Sequence, residues 1–123
     1  MSARLRLLAV GTRMPGWVQE GFEDYRKRLP RDCALELREI ALARRGADVA
    51  RAVRDEGEAL LAALDPDEFV VALEVGGRML STPDLAARLG SWRDEGQRVA
   101  FLVGGPDGLA DACRARAREQ WSL

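Results

Sequence analysis

Short, wholly apolar runs that stop at glycine constrain this chain more than any other feature. Leu7-Leu8-Ala9-Val10 ends at Gly11. Phe69-Val70-Val71-Ala72-Leu73 is followed by Gly76-Gly77. Val99-Ala100-Phe101-Leu102-Val103 runs into Gly104-Gly105. Such runs suit strands buried on both faces, as in a parallel sheet. A fourth segment, Cys33 to Ile40, alternates instead. Cys33, Leu35 and Leu37 fall on one side and Glu36 and Arg38 on the other, the pattern of a strand with one solvated face. Helical patterns fill the intervals. Trp17, Val18, Gly21, Phe22, Tyr25 and Leu29 fall at helical spacing over Trp17–Arg28, and Pro30 ends that helix. Asp48 caps a helix running to about Leu64. Ser81 or Thr82 caps the next, with Pro83 in its first turn and Gly96 closing it. A last helix is predicted from about Leu109 to Glu119, and Trp121-Ser122-Leu123 begins a further strand. The order predicts an α/β fold, a mostly parallel sheet flanked by helices with right-handed crossovers. No repeat or linker divides the chain, so residues 1–123 are read as a single domain.

Composition narrows the chemistry. No run approaches the roughly 18 apolar residues of a membrane span, and the N-terminal stretch is too brief and alternating for a signal peptide. No membrane partner and a cytoplasmic location are expected. The chain has 19 basic and 20 acidic residues, a net charge of −1, so it does not grip nucleic acid by bulk charge. All basic residues but Lys27 are Arg, which suits phosphate forks and base stacking as well as a GC-rich genome. The two cysteines, Cys33 and Cys113, lie far apart and there is no histidine, so no metal site is expected. Both cysteines are read as small buried residues. Without histidine, Ser-His-Asp and Cys-His catalysis are excluded. An enzyme of this composition must use carboxylates, need little acid–base help, or rely on a cofactor.

In parallel α/β sheets ligands sit outside the carboxyl ends of the strands. That draws attention to residues 11–16, 74–80 and 104–108. Gly104-Gly105-Pro106-Asp107-Gly108 joins a buried strand to a helix. Its bare backbone could lie against a ligand, or it could be a tight turn with no ligand. It is neither a dinucleotide fingerprint nor a Walker loop, and Asp107 would oppose a phosphate. A nucleoside-like or zwitterionic ligand fits better. Gly76-Gly77 could form the facing wall, or a plain turn. Arg13 could reach a substrate. Arg114, Arg116 and Arg118 alternate along the predicted last helix and read as solvated.

Three segments resemble one family. Residues 8–18 (Leu-Ala-Val-Gly-Thr-Arg-Met-Pro-Gly-Trp-Val), residues 103–108 (Val-Gly-Gly-Pro-Asp-Gly) and residues 119–123 (Glu-Gln-Trp-Ser-Leu) are similar to the ribosomal large-subunit methyltransferase H family of the SPOUT class. The resemblance runs in register along essentially the whole chain. It implies an α/β knot fold and a homodimer. The implied activity is N3-methylation of a pseudouridine in 23S rRNA of assembled ribosomes, with S-adenosylmethionine as methyl donor. Leu73 and Gly104 match family cofactor-binding positions, and a further cofactor segment starts around Leu123. Gly105 and Gly108 are candidates beside them, with Arg13 the candidate for substrate. No catalytic base is identified; Glu74 and Asp107 are the carboxylates nearest the cleft loops. The resemblance also implies further sequence after Leu123, which would finish the last strand, add a helix, close the knot and bring a His near the substrate. On that basis the domain is expected to be incomplete at its C-terminus. A non-catalytic ribosome-binding or oligomerisation module that keeps the fold is the alternative.

Overall fold

The computed structural model describes residues 3–11, 20, 23, 27, 33–43, 46, 48–105 and 107–122. It contains strands β1 (Ala3–Val10), β2 (Cys33–Ile40), β3 (Phe69–Met79), β4 (Arg98–Val103) and β5 (Glu119–Ser122), with helices α1 (Val49–Ala62), α2 (Thr82–Glu95) and α3 (Asp111–Arg116). Most of the helix predicted over Trp17–Arg28 lies outside the described residues, as do Arg13, Pro106 and Leu123. Glu20, Glu23 and Lys27, which are described, are helical and exposed.

The five strands form one sheet in the order β2-β1-β4-β3-β5, and every described pairing is parallel. Side chains alternate across a strand, so each central strand feeds two cores. Leu5, Leu7, Val71, Val99 and Val103 pack on one face with Leu85 and Trp92 of α2 and with Trp121. Leu8, Val70, Ala72, Ala100 and Leu102 pack on the other with Leu60 of α1 and with Leu109 and Cys113. The unbroken apolar runs in the sequence are thus the strands covered on both sides. Caps fall where the sequence places them. Asp48 accepts from the Arg51 N–H at 3.0 Å, and Ser81 accepts from the Asp84 N–H at 3.2 Å. Gly96 ends α2 at φ +65°, a backbone conformation that favours glycine.

Two elements differ from the sequence-based prediction. The third strand does not stop at Leu73 but continues to Met79, so residues 74–80 are mostly strand rather than loop. Leu73 and Arg78 both face Trp121, so residues 74–77 are extra length on β3 at a register shift. The last helix is also shorter, ending at Arg116 rather than Glu119. Ala117 is extended (φ −69°, ψ 137°), and the Arg118 N–H donates to the Val70 carbonyl at 2.7 Å. Pairing with β3 takes the chain out of its helical pattern.

Trp121 anchors this final strand. It is 0% exposed and stacks on Trp92, with ring centroids 5.6 Å apart and planes 11° from parallel. Glu119 accepts from the Trp121 indole N–H at 3.0 Å and from Arg88 at 2.5 Å, while the Arg88 guanidinium lies over the Trp92 ring. Leu123 directly follows this anchored strand in sequence.

Candidate active site

β3 and β4 run side by side with Leu73 opposite Val103, so Gly104 leaves the sheet next to the point where β3 shifts register. Leu73, Gly104, Gly105 and Gly108 therefore meet where β4 ends beside the register shift within β3. β1 also ends here. Gly11 turns off at φ +85°, and its N–H donates to the Ile40 carbonyl at 2.7 Å. Connections from β1 and β4 leave toward opposite edges of the sheet, which makes this pair of strand ends a topological switch point.

The glycine turn is shaped first by its own backbone. The Gly108 N–H donates to the Gly105 carbonyl at 3.0 Å, and Gly108 has φ +86°. A Cβ on Gly104 would sit 2.4 Å from the Gly108 carbonyl carbon and 2.7 Å from the Leu109 nitrogen. Gly104 is required because the turn folds back on it. Gly77 has a similar role on β3: a Cβ there would sit 2.7 Å from the Trp121 carbonyl carbon. Gly76, by contrast, has open space around it. The close contacts of both Gly104 and Gly77 are thus made within the chain.

Arg114 is brought into the same region, which sequence spacing alone does not reveal. Its Nε and Nη2 both lie 2.8 Å from one Glu74 oxygen, and its Nη1 donates to Asp111 at 2.9 Å. The hydrogen bond to Glu74 raises the Arg114 pKa further above its already high value. Glu74 is therefore held as half of an ion pair. Arg116 is not simply solvated either, since it donates to the Glu68 carbonyl at 3.0 Å. Arg118 is exposed as expected. Behind the turn, Cys113 is buried, its Sγ 3.7 Å from the Gly57 carbonyl oxygen, and burial pushes its thiol pKa up. That disfavours the nucleophilic thiolate. Among the described residues, no three His, Cys, Asp or Glu converge to hold a metal, and no helix is long and apolar enough to cross a membrane.

The surrounding charge selects among ligands. A groove of about 770 Å³ between α1 and residues 107–112 includes Asp48, Glu58, Asp107 and Asp111 against one cation, Arg54. Arg114 offsets Glu74 and Asp111, so the groove's remaining excess of negative charge lies at Asp48, Glu58 and Asp107, and it suits a neutral or positively charged ligand better than a phosphate.

A family model described as "Predicted SPOUT methyltransferase" matches residues 3–123. The chain belongs to the SPOUT methyltransferase family. Curated relatives agree. Proteins named "Ribosomal RNA large subunit methyltransferase H" from Methylococcus capsulatus and Hahella chejuensis are each 54% identical over 122 residues, covering 98% of this chain and 79% and 78% of the relative. The protein of that name from Pseudomonas aeruginosa is 56% identical, covering 98% of this chain and 79% of the relative. The family expected from residues 8–18, 103–108 and 119–123 is the one found. The parallel α/β sheet is consistent with a SPOUT methyltransferase, and the glycine turn at the end of β4 lies within the matched region.

Proposed function

We propose that this chain is an S-adenosylmethionine-dependent methyltransferase of large-subunit ribosomal RNA, acting on N3 of a pseudouridine in 23S rRNA. The observation that carries the reading is the coincidence of two features. The family match spans residues 3–123, and Leu73, at the β3 register shift, lies beside the Gly104–Gly108 turn that follows β4. A homodimer, a cytoplasmic location and a single domain over residues 1–123 belong to the same proposal.

The residues present fit the cofactor. Leu73, at the point where β3 shifts register, and Gly105 and Gly108 in the turn whose shape Gly104 holds, are the residues we assign to the cofactor. The adjoining groove, where Asp48, Glu58 and Asp107 outnumber Arg54, favours a sulfonium cation over a phosphate. By the family resemblance, Leu123 belongs to a further cofactor segment, and Arg13 is the candidate for substrate. The cofactor supplies an already activated methyl group, so the protein mainly binds and orients. Glu74 is engaged by Arg114 and is not assigned as a base. The acidity of N3 itself then carries much of the deprotonation.

The decisive experiment is methyl transfer from labelled S-adenosylmethionine to ribosomes from a strain lacking its own enzyme, followed by mass spectrometry of the rRNA. One added methyl on a pseudouridine is expected. Ribosome association with no methyl transfer would overturn the reading in favour of a non-catalytic binding module.

A further inference from the structure

We propose that Arg114 is a positioning residue, a strut that sets the distance between the two glycine-bearing walls at the carboxyl end of the sheet. The inference deepens the methyltransferase reading and rests on it for its functional consequence.

One wall is the register shift on β3, which begins at Glu74 and includes Gly77. The other is the Gly104–Gly108 turn that leads into α3. In sequence these are 30 residues apart, and among the described residues no backbone hydrogen bond outside the sheet joins the turn to residues 74–77. Arg114 spans them. It rises from α3, holds a Glu74 oxygen with two nitrogens at 2.8 Å, and braces itself on Asp111. Its Nη2 lies 3.9 Å from where a Gly108 Cβ would be, so the guanidinium passes beside the last glycine of the turn. Glu74 is the better buried partner, its side chain 17% exposed against 39% for Arg114. Arginine suits this task because its planar fork holds direction as well as charge. An exposed ion pair that only decorated a surface would contribute little. This one bridges two segments that diverge just beyond the last β3–β4 pair, Leu73 and Val103.

The test is amide hydrogen exchange on Arg114→Gln, Glu74→Gln and Arg114→Lys, read at residues 74–77 and 104–109. Either glutamine variant should raise exchange at both segments together, by about tenfold, and leave the turn at residues 65–68 unchanged. Arg114→Lys should fall between, keeping charge but losing the fork. Affinity for S-adenosylhomocysteine, measured by calorimetry, should weaken in the same order. Exchange that rises only within α3, or loosened segments with unaltered S-adenosylhomocysteine affinity, would overturn the proposal. If the unmodified chain binds no S-adenosylhomocysteine, the methyltransferase reading loses its support. The exchange pattern then still decides whether Arg114 couples the two segments.

Discussion

The two ends of the sheet are built by opposite means. At the amino ends of β3 and β4, side chains close the structure. Arg6 forks onto Glu68 and also donates to the Ala63 carbonyl at 2.8 Å, filling an acceptor where α1 ends. The Glu68 carboxylate takes the Asp65 N–H at 2.8 Å as well. Arg98 holds Asp65 at 2.7 Å, and Arg116 holds the Glu68 carbonyl. Three arginines thus clasp one turn. At the carboxyl ends, close backbone approaches at Gly104 and Gly77 shape the walls, and a half-exposed ion pair spans them. Stability is concentrated where bonds are buried and saturated; a ligand site needs the end where backbone is left uncovered.

The largest effect should come from breaking the closed end. The Arg6 and Glu68 side chains are 9% and 2% exposed, so Glu68→Ala strands a buried cation and should cost about 3–5 kcal/mol in urea unfolding. A loss under 1 kcal/mol would show that the clasp is not what secures this end.

Acid should attack the same place. Burial pushes the Glu68 carboxyl up, but the Arg6 hydrogen bond, the Asp65 N–H and the charges of Arg6 and Arg98 together bring it below its usual 4.5. A lowered folded value means the contribution is intact above the unfolded pKa and is lost as pH falls through the folded one. Stability should therefore decline on acidification below about pH 4.5. Glu68→Gln should flatten that decline, as followed by thermal unfolding across pH.

At the open end, Gly104→Ala and Gly77→Ala should each cost about 1–3 kcal/mol, because backbone atoms must move to admit the methyl. Both should also weaken S-adenosylhomocysteine binding in calorimetry. The smallest effect belongs to Gly76→Ala, which meets open space and should stay within about 0.5 kcal/mol. Equal losses at positions 76 and 77 would remove the distinction between a glycine that backbone packing demands and one that it does not.

Much of the carboxyl-end architecture was legible beforehand. Apolar runs ending at glycine located β1, the first half of β3, and β4, and the caps Asp48, Ser81 and Gly96 bounded two helices. The glycine turn was singled out because parallel strands present their carboxyl ends on one side, whereas Leu73 came from the family resemblance, and β3 runs past it to Met79. The tail end of the chain was less legible. Arg114, Arg116 and Arg118 looked alike, yet Arg114 reaches Glu74 and Arg116 reaches the 65–68 turn, partners some 40 to 50 positions away in sequence. Nothing in their local spacing encodes those distances. The role of Trp121 in the core was also hidden, because its stacking partner Trp92 lies on another element.

By itself, then, the sequence determined the alternation of strands and helices, the caps, the glycine turn and the family. All of these are written in local periodicity, in backbone preferences and in runs of identical residues. Only the tertiary structure decided that β3 continues through a register shift to Met79 and that α3 yields early to β5. It also decided that Gly104 is reserved for the chain's own backbone and that Arg114 of α3 pairs with Glu74 on β3. Each of these depends on what a distant segment brings into contact, and local preference gives way when a buried strand partner or an opposite charge is within reach.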